Sequence, residues 1–138
     1  MITMEKPDVV PARRYNTKQT SMLLGASSAM LLNALKTLAG IDDEVKLISP
    51  ETIEPIQELK VKHLGNSNPR LHTDEVLLAL SICAVTDERA HRAIEQLQNL
   101  KGSEMHSSVI LSQVDTNTLR KLGINLTCEP VYQTRKLY

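Results

Sequence analysis

A short aliphatic segment, VLLALSICAV at residues 76–85, limits what this chain can fold into more than any other feature of the sequence. It is about half as long as the roughly 20 apolar residues that a membrane-spanning helix needs. Thr73 can cap a helix here, and Asp74 and Glu75 would then lie in the first turn, where the helix dipole favours acids. Because its residues are apolar in every direction, the segment predicts a central helix that is buried all round.

The rest of the core must also be aliphatic, since the 138 residues include no Trp and no Phe, and the three Tyr lie near the ends. Aromatic side chains bury the most area per residue. The composition therefore leaves two alternatives open: a self-sufficient aliphatic core, or a chain that covers its apolar faces against a partner domain or subunit. The net charge of zero, with no dense basic group, argues against a nucleic-acid partner.

The two cysteines form no CxxC pair, which is typical of a reducing compartment, and the N-terminal residues lack the apolar region of a signal peptide. We therefore predict a cytoplasmic protein with no membrane partner. The phosphate-binding loop, the dinucleotide-binding glycine pattern and the nucleophile elbow are all absent. The four His do not have metal-ligand spacing, so no metal site is predicted.

The chain divides by composition into a polar N-terminal arm or linker at residues 1–19 and an α/β domain at residues 20–138. A helix is predicted from Thr20 or Ser21 to Gly40, with small residues along its first half. The branched segment VKLIS at residues 45–49 predicts a strand.

The second half of the domain predicts further helices and strands. Ser49-Pro50-Glu51 has the form of a helix start, and an amphipathic surface helix is predicted at residues 87–100. A strand at residues 107–112, a short helix ended by Gly123 and a strand at residues 124–128 form a βαβ unit. The predicted fold class is α/β, with a small, mainly parallel sheet flanked by helices in a layered sandwich.

The polar segment GNSNPRLHTDE at residues 65–75 precedes the aliphatic segment. It carries more polar side chains than helix capping requires. An Arg fork recognises carboxylate or phosphate, and an imidazole can titrate near neutral pH. The alternative is a solvated loop in front of an acidic helix start. A second polar group is EMHSS at residues 104–108. The candidate ligand-binding residues are Asn66, Asn68, Arg70, His72, Asp74, His106 and Ser108.

Cys128, at a strand end, has two interpretations. It is either a nucleophile that would need a nearby base, such as His106 or His72, or a small apolar residue of the core. The sequence does not place either histidine beside it. No catalytic residue and no cofactor can be assigned on these grounds, and whether the protein is an enzyme stays open.

Four phrases of the sequence, over about residues 20–135, resemble in order the C-terminal portion of an uncharacterised bacterial family. They are LGASSAMLLNALKTLAGIDDEVKLISPETIEPIQELK, LGNSNPRLHTDEVLLALSICAVTDERAHRAIEQL, LKGSEMHSSVILSQVD and LRKLGINLTCEP. The family is known as domain of unknown function 1846, or uncharacterised protein family 0371. The resemblance implies a cytoplasmic α/β fold whose final subdomain is a layered sandwich, loosely similar in topology to cytidine deaminases. It implies no known reaction.

Members of that family are several hundred residues long and have a larger N-terminal α/β portion. The resemblance therefore leaves three alternatives: a fragment, a split-gene subunit or a stand-alone protein. The expected partners are the missing N-terminal portion or a second copy of the chain, together with a small anionic metabolite. The expected function is that of a C-terminal subdomain of an enzyme, or of a protein that binds a phosphorylated or nucleotide-like metabolite. The alternative is a structural or oligomerisation module with no active site of its own.

Overall fold

A computed structural model of the chain describes residues 2–6, 10–15 and 24–129. Two of the helices are extended by short turns of another helix type, a π-helical turn (Leu59–His63) and a 3-10 turn (Gln96–Leu100). The elements in chain order are β1 (Ile2–Lys6), β2 (Val10–Tyr15), α1 (Ala26–Ala39), α2 (Pro50–Glu58), α3 (Thr73–Cys83), α4 (Glu88–Glu95), β3 (Glu104–Ser107), α5 (Gln113–Lys121) and β4 (Asn125–Cys128).

The strands form one mixed sheet in the order β2-β1-β3-β4. Strand β1 is antiparallel to both β2 and β3, whereas β3 and β4 are parallel and are joined through α5. The α/β class and the predicted βαβ unit at the end of the chain are confirmed. The prediction of a mainly parallel sheet is wrong, because β1 lies between β2 and β3 and makes most of the pairing antiparallel.

Strands β1 and β2 lie within residues 1–19, the segment that the composition predicts to be an arm or linker. In β1 the buried Ile2 and Met4 alternate with the more exposed Thr3 and Glu5, which is the period of a half-buried strand. The boundary at residue 20 stays a prediction. The helix start predicted at Thr20 or Ser21 lies outside the described residues, and α1 begins at Ala26.

Two of the three segments predicted as strands, residues 45–49 and 107–112, differ from the prediction. Residues 45–49 form an irregular connection, in which Leu47 and Ile48 are buried against the core without pairing to the sheet. The strand predicted at residues 107–112 lies earlier, as β3, and the chain leaves the sheet after Ser107. The Ser107 hydroxyl donates to the Val109 carbonyl at 2.7 Å, which turns the backbone away.

Helix boundaries follow the local signals more closely. Ser49 is the N-cap of α2 with Pro50 in its first turn, as predicted. Asp87 caps α4, where its carboxylate accepts a hydrogen bond from the Arg89 N–H at 2.8 Å. Gly40 ends α1 with a left-handed φ of 68°, a conformation that glycine adopts without a steric penalty.

Helix α3 is buried on one side, and the prediction of a helix buried all round is wrong. It contacts α1, α4 and α5, and Val76, Ala79 and Leu80 are fully buried there. On the other side Leu78 is 65% exposed and Ile82 is 66% exposed, because no element of the described chain covers that side. No helix among the described residues is long and apolar enough to cross a membrane.

Candidate functional site

The N-termini of α1, α3 and α5 converge around the buried carboxylate of Asp115. Its Oδ1 accepts hydrogen bonds from the N–H of Thr73 at 2.9 Å and from the hydroxyl of Thr73 at 2.8 Å. Its Oδ2 accepts a hydrogen bond from the Ser27 hydroxyl at 3.0 Å. Since Ser27 belongs to α1, Thr73 to α3 and Asp115 to α5, one side chain connects the three helices.

A second set of bonds joins the start of α1 to the segment that leads into α3. Leu24 and Leu71 form a single parallel bridge. The Leu71 carbonyl accepts hydrogen bonds from the N–H of Gly25 at 3.3 Å and from the hydroxyl of Ser28 at 2.8 Å. The polar loop before α3 is therefore held against the first turn of α1.

The three helix N-termini differ in how their free N–H groups are satisfied. In α3, Asp115 accepts from Thr73, and Glu75 Oε1 accepts from the His72 N–H at 2.9 Å. In α5, the Ser112 hydroxyl accepts from the Asp115 N–H at 3.1 Å. Helix α1 has Gly25 as its N-cap, so it has no side-chain cap, and no acid lies in its first turn. The first N–H groups of a helix have no partner within the helix. Among residues 2–6, 10–15 and 24–129, α1 therefore keeps the most available donors of the three helices.

A cavity of about 210 Å³ lies where these helices meet. Its wall includes the first turn of α1, the loop before α3 and the loop before α5. The half-buried Arg70 guanidinium has no hydrogen-bond or ion-pair partner among the described residues. The residues that line the cavity include Gly25, Ala26, Ser27, Asn68, Arg70, His72 and Asp115.

A buried lysine fixes the loop that carries Arg70 and His72. The Lys60 side chain is 4% exposed, and its ammonium lies 2.8 Å from Glu75 Oε1. It also donates to the Arg70 carbonyl at 2.6 Å and lies 3.5 Å from His72 Nδ1. These partners occupy the ammonium, so Lys60 is a positioning residue for the loop.

The pKa of Glu75 reflects the same contacts. Burial raises this pKa, but hydrogen bonds from the His72 N–H, the Lys60 ammonium and the His72 ring lower it by more. The net result is a pKa below the ordinary value of 4.5. Glu75 therefore stays ionised in the folded protein and holds both Lys60 and the N-cap residue in place.

The structure brings three of the predicted site residues together. Asn68, Arg70 and His72 line the cavity, and the Asn68 side chain accepts a hydrogen bond from the Arg70 N–H at 3.0 Å. Asn66 and Asp74 are exposed and do not line it. The Asn66 N–H donates to the Lys60 carbonyl at 2.8 Å, and Asp74 accepts from the Glu75 N–H at 2.9 Å.

His106, Ser108 and Cys128 lie away from the cavity wall. His106 is on the exposed face of β3, beside Thr3 and Thr127 of the neighbouring strands. Ser108 follows β3 and is half-buried. The Cys128 thiol is exposed and donates to the Val109 carbonyl at 3.0 Å. Whether any of these residues acts on a ligand stays a prediction.

Sequence reasoning missed Ser27 and Asp115 as members of the site. The small-residue start of α1 was the one available signal for Ser27. No signal in the neighbouring sequence indicates Asp115, because its contacts with α1 and α3 come from the tertiary fold. Among residues 2–6 and 24–129, no three His, Cys, Asp or Glu side chains are grouped as metal ligands.

Comparison with known proteins places the chain beside longer relatives. Residues 9–138 match the family described as "Domain of unknown function DUF1846, C-terminal". A UPF0371 protein of Corynebacterium diphtheriae is 60% identical over 122 residues, which are 88% of this chain and 24% of that protein. One from Corynebacterium efficiens is 58% identical over 125 residues, 91% of this chain and 25% of the relative. One from Streptococcus pyogenes serotype M5 is 55% identical over 129 residues, 94% and 26% respectively. The chain thus spans about a quarter of the length of these relatives.

Proposed function

Because the chain belongs to the C-terminal domain family of DUF1846, whose function is unknown, we propose a function from its site: the cavity at the start of α1 binds the phosphate or carboxylate group of a small metabolite. The observation that carries this proposal is the cavity shared by the N-terminus of α1, which has no side-chain cap, and Arg70, whose guanidinium has no partner in the part of the chain that the structure describes. A helix N-terminus offers N–H donors and a partial positive charge to an anion.

The charge balance of the cavity supports an anion held between α1 and Arg70. The Asp115 carboxylate also lines the cavity and opposes a second negative charge. However, its oxygens already accept three hydrogen bonds, from Thr73 and Ser27. The donors that remain for a ligand are the Arg70 guanidinium and the first N–H groups of α1, and these suit an anion.

The volume limits which part of a metabolite can enter. Pockets for whole drug-sized ligands measure about 300–1,000 Å³, and this cavity measures about 210 Å³. It therefore suits an anionic head group with a few further atoms. The rest of a phosphorylated or nucleotide-like metabolite would extend outward past Asn68 and His72, which line the wall with Arg70.

A cytoplasmic location is part of the same proposal. Cys83 and Cys128 are both free thiols, and thiols persist in a reducing compartment. Phosphorylated metabolites occur in that compartment, which is consistent with the ligand class.

The experiment is a titration of the protein with inorganic phosphate, in which binding is detected by isothermal titration calorimetry or by phosphorus NMR line broadening. Arg70→Gln removes a charge-assisted hydrogen bond of about 1.5–3 kcal/mol, so phosphate affinity should fall by about tenfold or more. Arg89→Gln, at an exposed site on α4, is the matched control and should leave the affinity unchanged.

A second variant tests the contribution of the α1 backbone. Ala26 is the first residue of α1, and Gly25 before it has a φ of −69° and a ψ of 164°. Proline is favoured at the first helical position, and this Gly25 conformation is compatible with a following proline. Ala26→Pro should therefore fold normally while losing one N–H donor, and should weaken phosphate binding several-fold. Binding that is insensitive to both Arg70→Gln and Ala26→Pro would reject the proposed site.

The alternative function, an interaction module without an active site, is favoured by a different observation. Helix α3 exposes large aliphatic side chains on the side opposite α1. That surface is separate from the residues proposed to hold an anion.

A further inference from the structure

Three exposed aliphatic side chains form one stripe along α3 and the turn that follows it. Leu78 is 65% exposed, Ile82 is 66% exposed and Val85 is 83% exposed. Leu78 and Ile82 are four residues apart and therefore lie on one side of α3, and Val85 follows in the turn after the helix. We call these three residues the α3 face. Its spacing is that of the anchor residues with which a helix docks into an apolar groove.

The ends of the α3 face are acidic. Residues 73–88 contain four acids, of which Glu75 pairs with Lys60 and Asp87 lies 3.7 Å from the Arg89 side chain. Asp74 at the start of α3 and Glu88 at the start of α4 are both exposed. The complementary surface would be aliphatic at its centre and basic near both ends.

A second copy of this chain is a poor occupant for the α3 face on grounds of charge. In a symmetric dimer the same surface is used by both copies. If the two α3 helices ran antiparallel, Asp74 of one copy would approach Glu88 of the other. If they ran parallel, each acid would approach its own equivalent. Both arrangements bring like charges together, which opposes association.

The lengths of the relatives point to a different occupant. In the relatives from Corynebacterium and Streptococcus, the segment that matches this chain is about a quarter of the protein. The same domain is thus joined in them to a much longer polypeptide. We infer that the α3 face binds the part of these longer proteins that lies outside the matched quarter, through an aliphatic surface flanked by basic residues. This inference goes beyond the proposed anion binding and does not depend on it.

The main test compares the accessibility of one position in two intact proteins. Leu78→Cys in this chain, and a Cys at the aligned position of the Corynebacterium diphtheriae relative, are treated with a maleimide at low micromolar protein concentration. The labelled peptide is then quantified by mass spectrometry. The rate should be at least tenfold lower in the relative, because the rest of that protein covers the position. Arg92→Cys, on the exposed side of α4, and its aligned counterpart are the controls and should react at similar rates in both proteins.

A second measurement uses stability. Leu78→Lys together with Ile82→Lys should leave the melting temperature of this chain nearly unchanged, since both side chains are already exposed. The same two changes at the aligned positions of the relative should lower its melting temperature by several degrees. Light scattering of this chain after size exclusion should show a monomer. Equal labelling rates in the two proteins, or a dimer of this chain that Leu78→Lys dissociates, would overturn the inference.

Discussion

Asp115 is the side chain whose replacement should disturb this fold most, because three donors from α1 and α3 depend on it. The N–H and hydroxyl of Thr73 and the hydroxyl of Ser27 lie 2.8–3.0 Å from its oxygens. Thr73 is 0% exposed, Ser27 is 3% exposed and Asp115 is 7% exposed. Asp115→Ala would leave these donors without an acceptor in a place that water hardly reaches.

The expected loss of free energy of unfolding follows from the number of buried donors left without an acceptor. A buried donor without an acceptor costs about 1–3 kcal/mol. Removing the carboxylate also removes the cost of burying its charge, which offsets part of that loss. We therefore expect Asp115→Ala to lower the free energy of unfolding by about 3–5 kcal/mol, a large fraction of the total of about 5–15 kcal/mol for a domain.

Asp115→Asn is the matched comparison, because the amide keeps the shape of the carboxylate. Its oxygen can still accept from Thr73, and its NH₂ group can donate to the Ser27 hydroxyl, which is able to accept. Asp115→Asn loses the negative charge of the carboxylate, which strengthens these hydrogen bonds and interacts favourably with the N-terminus of α3. We expect a cost of about 1–2 kcal/mol.

The assay is equilibrium unfolding in urea, followed by far-ultraviolet circular dichroism, for the two Asp115 variants, Thr73→Val and the double variant Thr73→Val/Asp115→Ala. Because Thr73→Val removes one of the stranded donors, the double variant should cost less than the sum of its single changes. The reasoning is refuted if Asp115→Ala costs no more than Asp115→Asn, or if the double variant is strictly additive.

Two further predictions concern acid stability and a glycine. Since the pKa of Glu75 is lower in the folded protein than its ordinary 4.5, its contribution to stability is present above that value and is lost as the pH falls through the folded pKa. Glu75→Gln should therefore flatten the loss of urea resistance between neutral and acidic pH, and parallel curves for the two proteins would contradict this. Gly123 has a φ of 81°, and a Cβ there would lie 2.8 Å from Lys101 Cγ, whereas Gly40, with a φ of 68°, has open space around it. Thermal denaturation should show Gly40→Ala to cost about 1–2 kcal/mol and Gly123→Ala to cost clearly more, and equal costs would mean that Lys101 moves aside freely.

Features set by neighbouring residues could be predicted from the sequence. Gly40 and Gly123 end helices, Ser49 begins one, and the βαβ unit at the end of the chain has the predicted order. Each of these depends on chemistry within a few residues. The polar surplus before α3 predicted Asn68, Arg70 and His72 as ligand-binding residues. They share one cavity wall, and their role in binding stays a prediction.

Features that depend on distant partners could not be predicted. Strand β1 pairs with β3, and the paired residues, from Ile2 with Ser107 to Glu5 with Glu104, are far apart in the sequence. Residues 45–49 have the composition of a strand, but they pair with none of the strands that the structure describes. An unbroken apolar run also carries no periodicity, so it cannot show that Leu78 and Ile82 are exposed while Val76 and Leu80 are buried. The contacts of Asp115 could not be predicted either, since its hydrogen-bond partners, Ser27 and Thr73, belong to other helices.

The position of β1 in the middle of the sheet has a consequence for the order of folding. Ile2 pairs with Ser107, and α1 to α4 lie between them in the chain. At about 5–20 residues per second, a ribosome needs roughly 5–20 s to add that intervening chain. During this interval β2 is already available to pair with β1, whereas β3 has not yet been synthesised. The apolar side chains of Ile2 and Met4 therefore stay exposed until β3 and the helices that bury them have formed. We expect this early hairpin to be the part of the nascent chain that most needs protection from aggregation.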